Sequence, residues 1–313
     1  MAKVIGKRLL SIIFVLWAVA TLTYFMVHVT PGDTASAIVA SVYGPEFIDE
    51  NTLARVTEKY DLDRPIISQY FDWLKNAVCF NFGTSYRYNI PVKDIMLMRL
   101  PNTLKLGFTA FLISTLIGIP LGIWTAYRQN RFIDHFTRVS TLTLSSFPGF
   151  WVALVLIIIF AYNLKLFPTS GMDTPDSIVL PAVTLSVGML ASTTRLMRAS
   201  MIEVLRQDYM LTAKSKGIKK TAVGFHAFRN AIPTIITVLG LQIGHILGGS
   251  VLVESVFAWP GLGGLFNDAV AAKDLPLMEG CVILVTFGYA FANLLVDILY
   301  AAVDPRVKYQ EVS

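Results

Sequence analysis

Six long apolar runs alternate with polar segments along the chain. Each is close to or above the length of about 20 residues that a helix needs to cross the hydrocarbon core of a bilayer. The runs occupy residues 9–29, 103–124, 139–164, 178–197, 232–253 and 277–303. The pattern predicts an all-α membrane protein with six transmembrane helices.

One polar segment is much longer than the others and follows the first run, at 30–101. Inside it, Asp63-Arg64-Pro65 is typical of a helix start. Apolar residues then recur at helical spacing, at Ile66, Ile67, Tyr70, Phe71, Leu74 and Val78. We expect this helix to pack on the bundle or on the outer bilayer surface, with a ligand site as the alternative. We interpret 1–313 as a single domain, because no linker or internal repeat interrupts it.

Basic residues are distributed unequally between the two sides of the predicted bundle. They collect near the N terminus, after the second run, between the fourth and fifth runs and after the sixth, whereas the opposite short loops hold Lys165 and Lys273. Since Lys and Arg accumulate on the cytosolic side, both termini are predicted to be cytosolic and 30–101 extracytoplasmic. This bias accounts for the net charge of +5, so no nucleic-acid partner is predicted.

The composition supports a membrane location. Hydrophobic residues make up 54% of the chain and charged residues only 15%, against roughly 25% charged in soluble domains. Cys79 lies in the outer segment and Cys281 in the sixth run, too far apart for a disulfide framework, so we interpret both as free thiols.

The polar segment between the fourth and fifth runs contains a glycine flanked by lysines. We predict that this cytosolic loop, 199–231, forms two short helices about Gly217, which tolerates left-handed backbone angles. Tyr209, Thr212 and Ala213 lie at i, i+3 and i+4 and would form one compact face. A basic rim surrounds that face, at Lys214, Lys216, Lys219 and Lys220. The segment is typical of a docking element for a separate motor, although a solvated basic loop would also explain the lysines.

Small and polar residues mark particular faces of the spans. Gly240, Gly244 and Gly248 repeat at four-residue spacing in the fifth, which favours close helix packing in lipid. Polar groups suited to a translocation pathway are Gln242 and His245 in the fifth span and Thr286, Tyr289 and Asn293 in the sixth. The alternative is that Gln242 bonds a neighbouring helix and that His245 is a satisfied interior histidine. Asp297 is expected to pair with Arg195 or Arg198.

The sequence carries no motif for catalysis, nucleotide binding or metal binding. It has neither the Gly-x-x-x-x-Gly-Lys-Ser/Thr phosphate loop nor His-Glu-x-x-His, Cys-x-x-Cys or Gly-x-Ser-x-Gly. The four histidines are scattered without ligand spacing. We therefore predict no catalytic residue, no metal site and no cofactor in this chain.

The order and spacing of several short motifs resemble the inner-membrane permease subunits of ABC importers for peptides, nickel and opines. The motifs run almost from end to end: Pro31-Gly-Asp33, Phe82-Gly83-Thr-Ser85, Arg99-Leu-Pro101-Asn-Thr103, Ile178-Val-Leu180-Pro181, Arg198-Ala-Ser-Met201, Tyr209-x-x-Thr212-Ala213-x-x-x-Gly217, Arg229-Asn230-Ala231, Phe257-Ala-Trp259-Pro260-Gly261, Asn293-Leu-Leu-Val-Asp297 and Asp304-Pro305-Arg306. In the wider superfamily the loop carries Glu-Ala-Ala where this chain has Leu211, Thr212 and Ala213, a departure common in the peptide and nickel branch.

The resemblance implies a type I ABC importer permease fold in a bacterial or archaeal cytoplasmic membrane. It implies a second related permease subunit, two cytosolic ABC ATPase subunits that bind ATP and Mg²⁺, and an extracytoplasmic solute-binding protein. The coupling residues carried over are Tyr209, Thr212, Ala213, Lys216 and Gly217. Segment 30–101 and the loop 257–265 are where the binding protein is expected to dock.

Two cargo classes and two competing functions remain open from the sequence. The cargo is nickel, carried as a chelate, or a di- or oligopeptide, and the string at 164–171 favours nickel members of the family. An autonomous secondary transporter or channel would show inverted repeats with paired broken helices, which the sequence does not display. A membrane-anchored structural protein would leave the polar stripes unexplained.

Overall fold

The computed structural model describes residues 2–29 and 34–303, and the regular structure in those ranges is helical apart from an isolated bridge between Thr84 and Pro91. The helices are α1 Ala2–Val29, α2 Thr34–Val42, α3 Glu50–Lys59, α4 Ile66–Val78, α5 Val92–Tyr127, α6 Phe132–Ser146, α7 Gly149–Leu156, α8 Val179–Leu205, α9 Asp208–Ser215, α10 Lys220–Gly249, α11 Val251–Val256, α12 Leu262–Ala271 and α13 Leu275–Val303. A π-helical stretch, Ile157–Asn163, continues α7. The motifs Pro31-Gly-Asp33 and Asp304-Pro305-Arg306 lie outside the described residues.

The apolar spans agree with the prediction, with one difference. Five helices are long and apolar enough to cross a membrane, and a sixth span arises if α6 and α7 with its π-helical extension are taken together. That pair is bent by 103°, whereas the sequence predicted one continuous span over 139–164. Pro148 explains the break, because it donates no backbone N–H and pushes the preceding Phe147 to an extended conformation with ψ of 137°.

Local sequence sets the starts of α3 and α4 in the long polar segment after α1. The Asp49 side chain accepts a hydrogen bond from the backbone N–H of Thr52 at 2.9 Å, and this bond lowers the pKa of the Asp49 carboxyl. Pro65 occupies the cap position of α4. The helix predicted to begin after Asp63-Arg64-Pro65 is therefore confirmed.

The chain divides into two compact units: Met1–Thr103 with Pro260–Ala290, and Leu104–Trp259 with Phe291–Ser313. The first unit has a core between the start of α5, α12 and the start of α13, formed by Val92, Ile95, Met96, Leu262, Leu265, Leu277 and Cys281. A smaller cluster joins α2 to α3 through Ile38, Val39 and Val56. The interpretation of 1–313 as a single domain stays a prediction.

A buried carboxylate links the segment between α4 and α5 to the start of α13. Asp274 is fully buried and accepts hydrogen bonds from the Ser85 hydroxyl, from the backbone N–H of Arg87 at 3.1 Å and from that of Leu277 at 3.3 Å. It thus caps α13 and fixes the loop that carries the Phe82-Gly-Thr-Ser85 motif. Two further motifs meet in the same unit, since Asn102 donates to the Pro260 carbonyl and Thr103 accepts from the Leu262 N–H, both at 2.8 Å.

The second unit is organised around α8, which packs against α6, α7, α10 and α11. Gly122 lies so close to α8 that a Cβ there would stand 2.7 Å from the Thr194 carbonyl oxygen, in keeping with small residues at membrane helix contacts. Phe257 and Trp259 are buried in a core with Leu106, Leu180 and Val253. The aromatic side chains of the loop expected to receive the binding protein therefore serve the internal packing of the unit.

Candidate functional site

The predicted coupling loop contains one short helix instead of two. Helix α8 ends at Leu205, α9 spans Asp208–Ser215, and α10 begins at Lys220 and continues to Gly249. The second predicted short helix is therefore the first part of α10, which passes through Pro233 without ending. A change from polar to apolar composition does not by itself end a helix, and this explains the error.

A buried methionine anchors α9 to its neighbours. Met210 is about 1% exposed and packs in a cluster with Met197 and Met201 of α8 and with Val223 and Ala227 of α10. Burying a side chain of this size contributes roughly 1.5 to 3 kcal/mol. Since α9 is only two turns long and cannot be stable alone, this anchor holds it in place.

A hydrogen bond gives α9 a second attachment to α10. The side-chain amide of Asn230 donates to the Tyr209 hydroxyl at 3.1 Å. Both residues belong to motifs that carried the family resemblance, and the structure shows that the two motifs meet. The ring of Tyr209 remains exposed.

The other predicted coupling residues lie on the accessible side of the loop. Thr212 and Lys216 are exposed and Ala213 is half-buried, while the Thr212 hydroxyl donates back to the Asp208 carbonyl at 3.1 Å. Gly217 has φ of +73° and open space around its Cα. The backbone angle, and not crowding, therefore favours glycine there.

A surface pocket of about 520 Å³ opens beside the junction of α8 and α9. Its walls combine both signs of charge, two amides and two apolar side chains, from Gln129, Arg198, Ala199, Ile202, Glu203, Arg206, Gln207 and Asp208. The pocket reaches the start of α9 through Asp208, the first residue of that helix.

Arg198, which lines that pocket, forms an ion pair that the sequence did not predict. Arg198 donates from Nε and from a terminal nitrogen to the two carboxylate oxygens of Asp134, at 2.5 and 2.7 Å. Asp134 is buried and also accepts the backbone N–H of Asn130 at 2.9 Å. The two-pronged bond joins α6 to α8 with defined geometry. The side chain of Asp297, the predicted partner, lies outside the described residues.

The predicted pathway residues fall in both units and differ in their surroundings. In the first unit, Thr286 donates its hydroxyl to the Val282 carbonyl at 2.7 Å, and Tyr289 is exposed. In the second, Gln242 donates to the Met189 carbonyl and to the Thr193 hydroxyl, both at 3.0 Å, so it makes the internal bond that was the alternative to a pathway role. Asn293 has a buried Oδ1 without a hydrogen-bond partner among the described residues. The side chain of His245 lies outside them.

The packing glycines of the fifth span are not equivalent. A Cβ at Gly240 would stand 2.9 Å from Cβ of Val296 on α13, whereas Gly248 faces open space. Gly244 is buried. Close helix packing is therefore visible at Gly240 and stays a prediction for the other two.

Sequence reasoning missed Met210 and Asp134, and it found Asn230 only as part of a motif. A methionine beside the predicted face carries no distinguishing signal, because apolar residues also occur on exposed helices. The carboxylate of Asp134 lies outside the apolar window, so its burial depends on a partner 64 residues away in sequence. Such pairings require the three-dimensional arrangement of the helices.

Comparison with protein families gives two matches that together cover most of the chain. Residues 118–309 match the family described as "Binding-protein-dependent transport system inner membrane component". Residues 1–107 match the N-terminal family of the same membrane components.

Similar proteins extend over the whole chain. The glutathione transport system permease protein GsiC of Escherichia coli (strain K12) and that of Shigella dysenteriae serotype 1 (strain Sd197) are each 37% identical over 311 residues, covering 99% of this chain and 100% of theirs. A solved structure, the inward-facing MetNI methionine ABC transporter, aligns with a TM-score of 0.53 at 17% identity, over 67% of this chain and 96% of that one. This last likeness concerns the fold.

Proposed function

The chain belongs to the inner-membrane components of binding-protein-dependent transport systems, and from this we propose that it forms half of the translocation pathway of an ATP-driven importer for peptide-like solutes. It is a permease subunit of an ABC importer, a translocation component, and a multi-pass protein of the cytoplasmic membrane. ATP binding and hydrolysis with Mg²⁺ belong to partner ATPases in this proposal.

The single observation that carries the mechanism is the attachment of α9. Tyr209 and Thr212 of α9, and Lys216 directly after it, are exposed to solvent, while the buried Met210 packs α9 against α8 and α10. A displacement of α9 by an ATPase would therefore reach both neighbouring helices through packed side chains. Closure of the ATPase pair would shift the permease between inward and outward openings in this way.

The proposed cargo is a small peptide of the glutathione type. The similar permeases named above belong to glutathione transport systems, and this chain matches them over their full length. The nickel assignment favoured by the sequence at 164–171 is not confirmed. Polar groups along α10 and α13 would line the route, at Gln242, His245, Thr286, Tyr289 and Asn293. Asn293 is the best supported of these candidates, because its Oδ1 is buried without a hydrogen-bond donor among the described residues. A buried amide oxygen in that state is costly unless a ligand or a water molecule donates a hydrogen bond to it.

The proposed assembly has a second related permease, two cytosolic ATPase subunits and an extracytoplasmic solute-binding protein. The family itself is defined by dependence on a binding protein. If this chain forms half of the pathway, a second permease subunit must form the other half. The exposed side of α9 would provide the docking position for one ATPase subunit.

An uptake assay with the complete set of subunits tests the function. Cells with and without the chain receive labelled glutathione, a labelled tripeptide and labelled nickel with a chelator, and the variant Gly217→Pro is measured beside Gly217→Asn. Proline cannot adopt the positive φ of this position, whereas asparagine tolerates it. We expect uptake of the peptide-like solutes, its loss in Gly217→Pro with normal membrane insertion, and substantial retention in Gly217→Asn.

Three results would contradict the proposal. Uptake of nickel alone would overturn the cargo assignment. Normal uptake by Gly217→Pro, with the ATPase subunits co-purifying in normal amounts, would overturn the coupling role. Uphill transport by the purified chain alone in liposomes would show an autonomous secondary transporter.

A further inference from the structure

Helix α4 presents three faces, and only one of them is explained by the packing of its own unit. At about 100° per residue, its residues separate into a sector that contacts α1, an adjacent apolar sector and a polar sector. The apolar sector is left without a packing partner in its own unit. An explanation for it requires only that the chain lies in a membrane, and not that it transports a solute.

The first sector fixes α4 against the end of α1 that is remote from the N terminus. The ring of Tyr24 lies 5.4 Å from that of Tyr70 and 5.0 Å from that of Trp73. Thr21 and Tyr70 share a hydrogen bond between their hydroxyls at 2.8 Å. Tyr24 and Tyr70 are buried, so this contact sets both the height and the rotation of α4 relative to α1.

The second sector is apolar and uncovered in this chain. Ile67, Phe71 and Val78 are 66%, 63% and 76% exposed, and with the half-buried Leu74 they occupy a sector about 60° wide. Four large apolar groups in one narrow sector are not expected to face water, because contiguous apolar patches mark interaction surfaces.

The third sector is polar and faces away from the apolar one. It carries Ser68, Asp72 and Asn76, and Arg64 pairs with Asp72 at 2.6 Å on the exposed surface. A helix with a polar sector, an apolar sector and aromatic residues between them has the arrangement of one lying in a membrane interface.

The apolar sector continues a second exposed apolar surface, that of α1. The apolar window of α1, Arg8–Met26, is only 11% buried, and Leu22 and Met26 on it are exposed. Phe25 of α1 stacks on Tyr70 of α4 at 5.4 Å, so the exposed apolar surfaces of the two helices adjoin.

The position of α4 along α1 corresponds to the depth of a helix in the membrane interface. Thr21, which bonds to Tyr70, precedes the end of the apolar window at Met26 by almost one and a half helical turns, or about 7.5 Å. Interfacial amphipathic helices bury their apolar face about 5 to 10 Å into the boundary between headgroups and acyl chains.

We propose that α4 is an interfacial helix whose sector formed by Ile67, Phe71, Leu74 and Val78 rests on phospholipid acyl chains, while its Asp72 and Asn76 side faces water. The contact with Tyr24 then fixes the outer segment at a constant depth beside α1. Lipid, and no protein partner, is the occupant of this surface.

Spin-label accessibility in the assembled importer tests the proposal. Single labels are placed at Phe71→Cys and Val78→Cys, with Asn76→Cys as the matched control on the same helix, all in a Cys79→Ser background. Cys281 is buried and is retained, with the unsubstituted background measured for stray label. The complex is placed in vesicles of phosphatidylethanolamine and phosphatidylglycerol, and collision rates with oxygen and with a water-soluble nickel chelate are compared.

Lipid contact predicts an oxygen-to-nickel collision ratio at positions 71 and 78 that exceeds the ratio at 76 several-fold. Equal ratios with high nickel access at all three positions would show a water-exposed surface and overturn the proposal. Immobile labels at 71 and 78, shielded from both reagents, would show a protein partner and overturn it equally. Because none of these readouts requires transport, a failure here is distinguishable from a failure of the proposed function.

Discussion

At the residue scale, removal of the Asp274 side chain is expected to lower the stability of the folded protein. It is fully buried and accepts three hydrogen bonds from two separate parts of the chain. Leaving a buried donor without a partner costs about 1 to 3 kcal/mol. Few other described side chains combine such burial with contacts that are so distant in sequence.

We expect Asp274→Ala to destabilise the protein by about 3 kcal/mol, because the Ser85 hydroxyl and the Arg87 and Leu277 N–H groups lose their acceptor. Thermal unfolding of the purified complex in detergent measures the change. Asp268→Ala, at an exposed position of α12, is the control and should leave the midpoint unchanged. An unchanged midpoint in both variants would show that the three bonds contribute nothing.

Single residues were predictable from sequence where backbone conformation decides the residue type. Gly217 was found because a left-handed turn favours glycine, and its φ is positive. Met210 was not found, since burial of one apolar residue on a short helix depends on helices that are distant in space. The Gln242 side chain illustrates the same limit: its polar character was visible, but its two acceptors on α8 were not.

At the element scale, the stability of α9 depends on its anchor. Truncating a buried methionine to alanine typically costs 2 to 5 kcal/mol, and α9 has little intrinsic stability to offset that loss. The neighbouring Leu211 is exposed and offers a matched comparison on the same helix.

Met210→Ala is expected to raise hydrogen exchange of the α9 amides by at least tenfold, whereas Leu211→Ala leaves it close to that of the unsubstituted protein. Hydrogen exchange with mass spectrometry on the detergent-solubilised complex reads out the loop directly. If both variants exchange equally slowly, Met210 is not the anchor of α9.

The spans show where periodicity suffices and where it fails. Long apolar runs predicted five helices with the correct order, because the length needed to cross a bilayer constrains them strongly. The break between α6 and α7 was missed, although Pro148 is visible in the sequence, because proline is tolerated inside other helices of this same chain, such as α10. Only the backbone at Phe147 distinguishes the two cases.

At the scale of the whole molecule, the orientation in the membrane remains the largest prediction. The distribution of basic residues predicts that the α9 loop is cytosolic and that segment 30–101 is extracytoplasmic. The two native cysteines suit a test, since Cys79 is exposed and Cys281 is buried.

A membrane-impermeant maleimide applied to spheroplasts is expected to label Cys79 without permeabilisation. In a Cys79→Ser background, Lys216→Cys should react only after the membrane is opened, because that position lies on the exposed side of the loop. Mass spectrometry of the purified chain locates the label. Reaction of Lys216→Cys in sealed spheroplasts would invert the orientation and remove the loop from contact with any cytosolic ATPase.

The bond between Ser85 and Asp274 has a consequence for biosynthesis. Its two residues are 189 positions apart, so the ribosome completes the loop around Ser85 long before the acceptor emerges. Until then the loop lacks the carboxylate that fixes it, and contacts so distant along the chain are formed late and slowly. Nascent chains arrested before Asp274 should therefore display this loop in a protease-sensitive state, whatever helices they have already inserted.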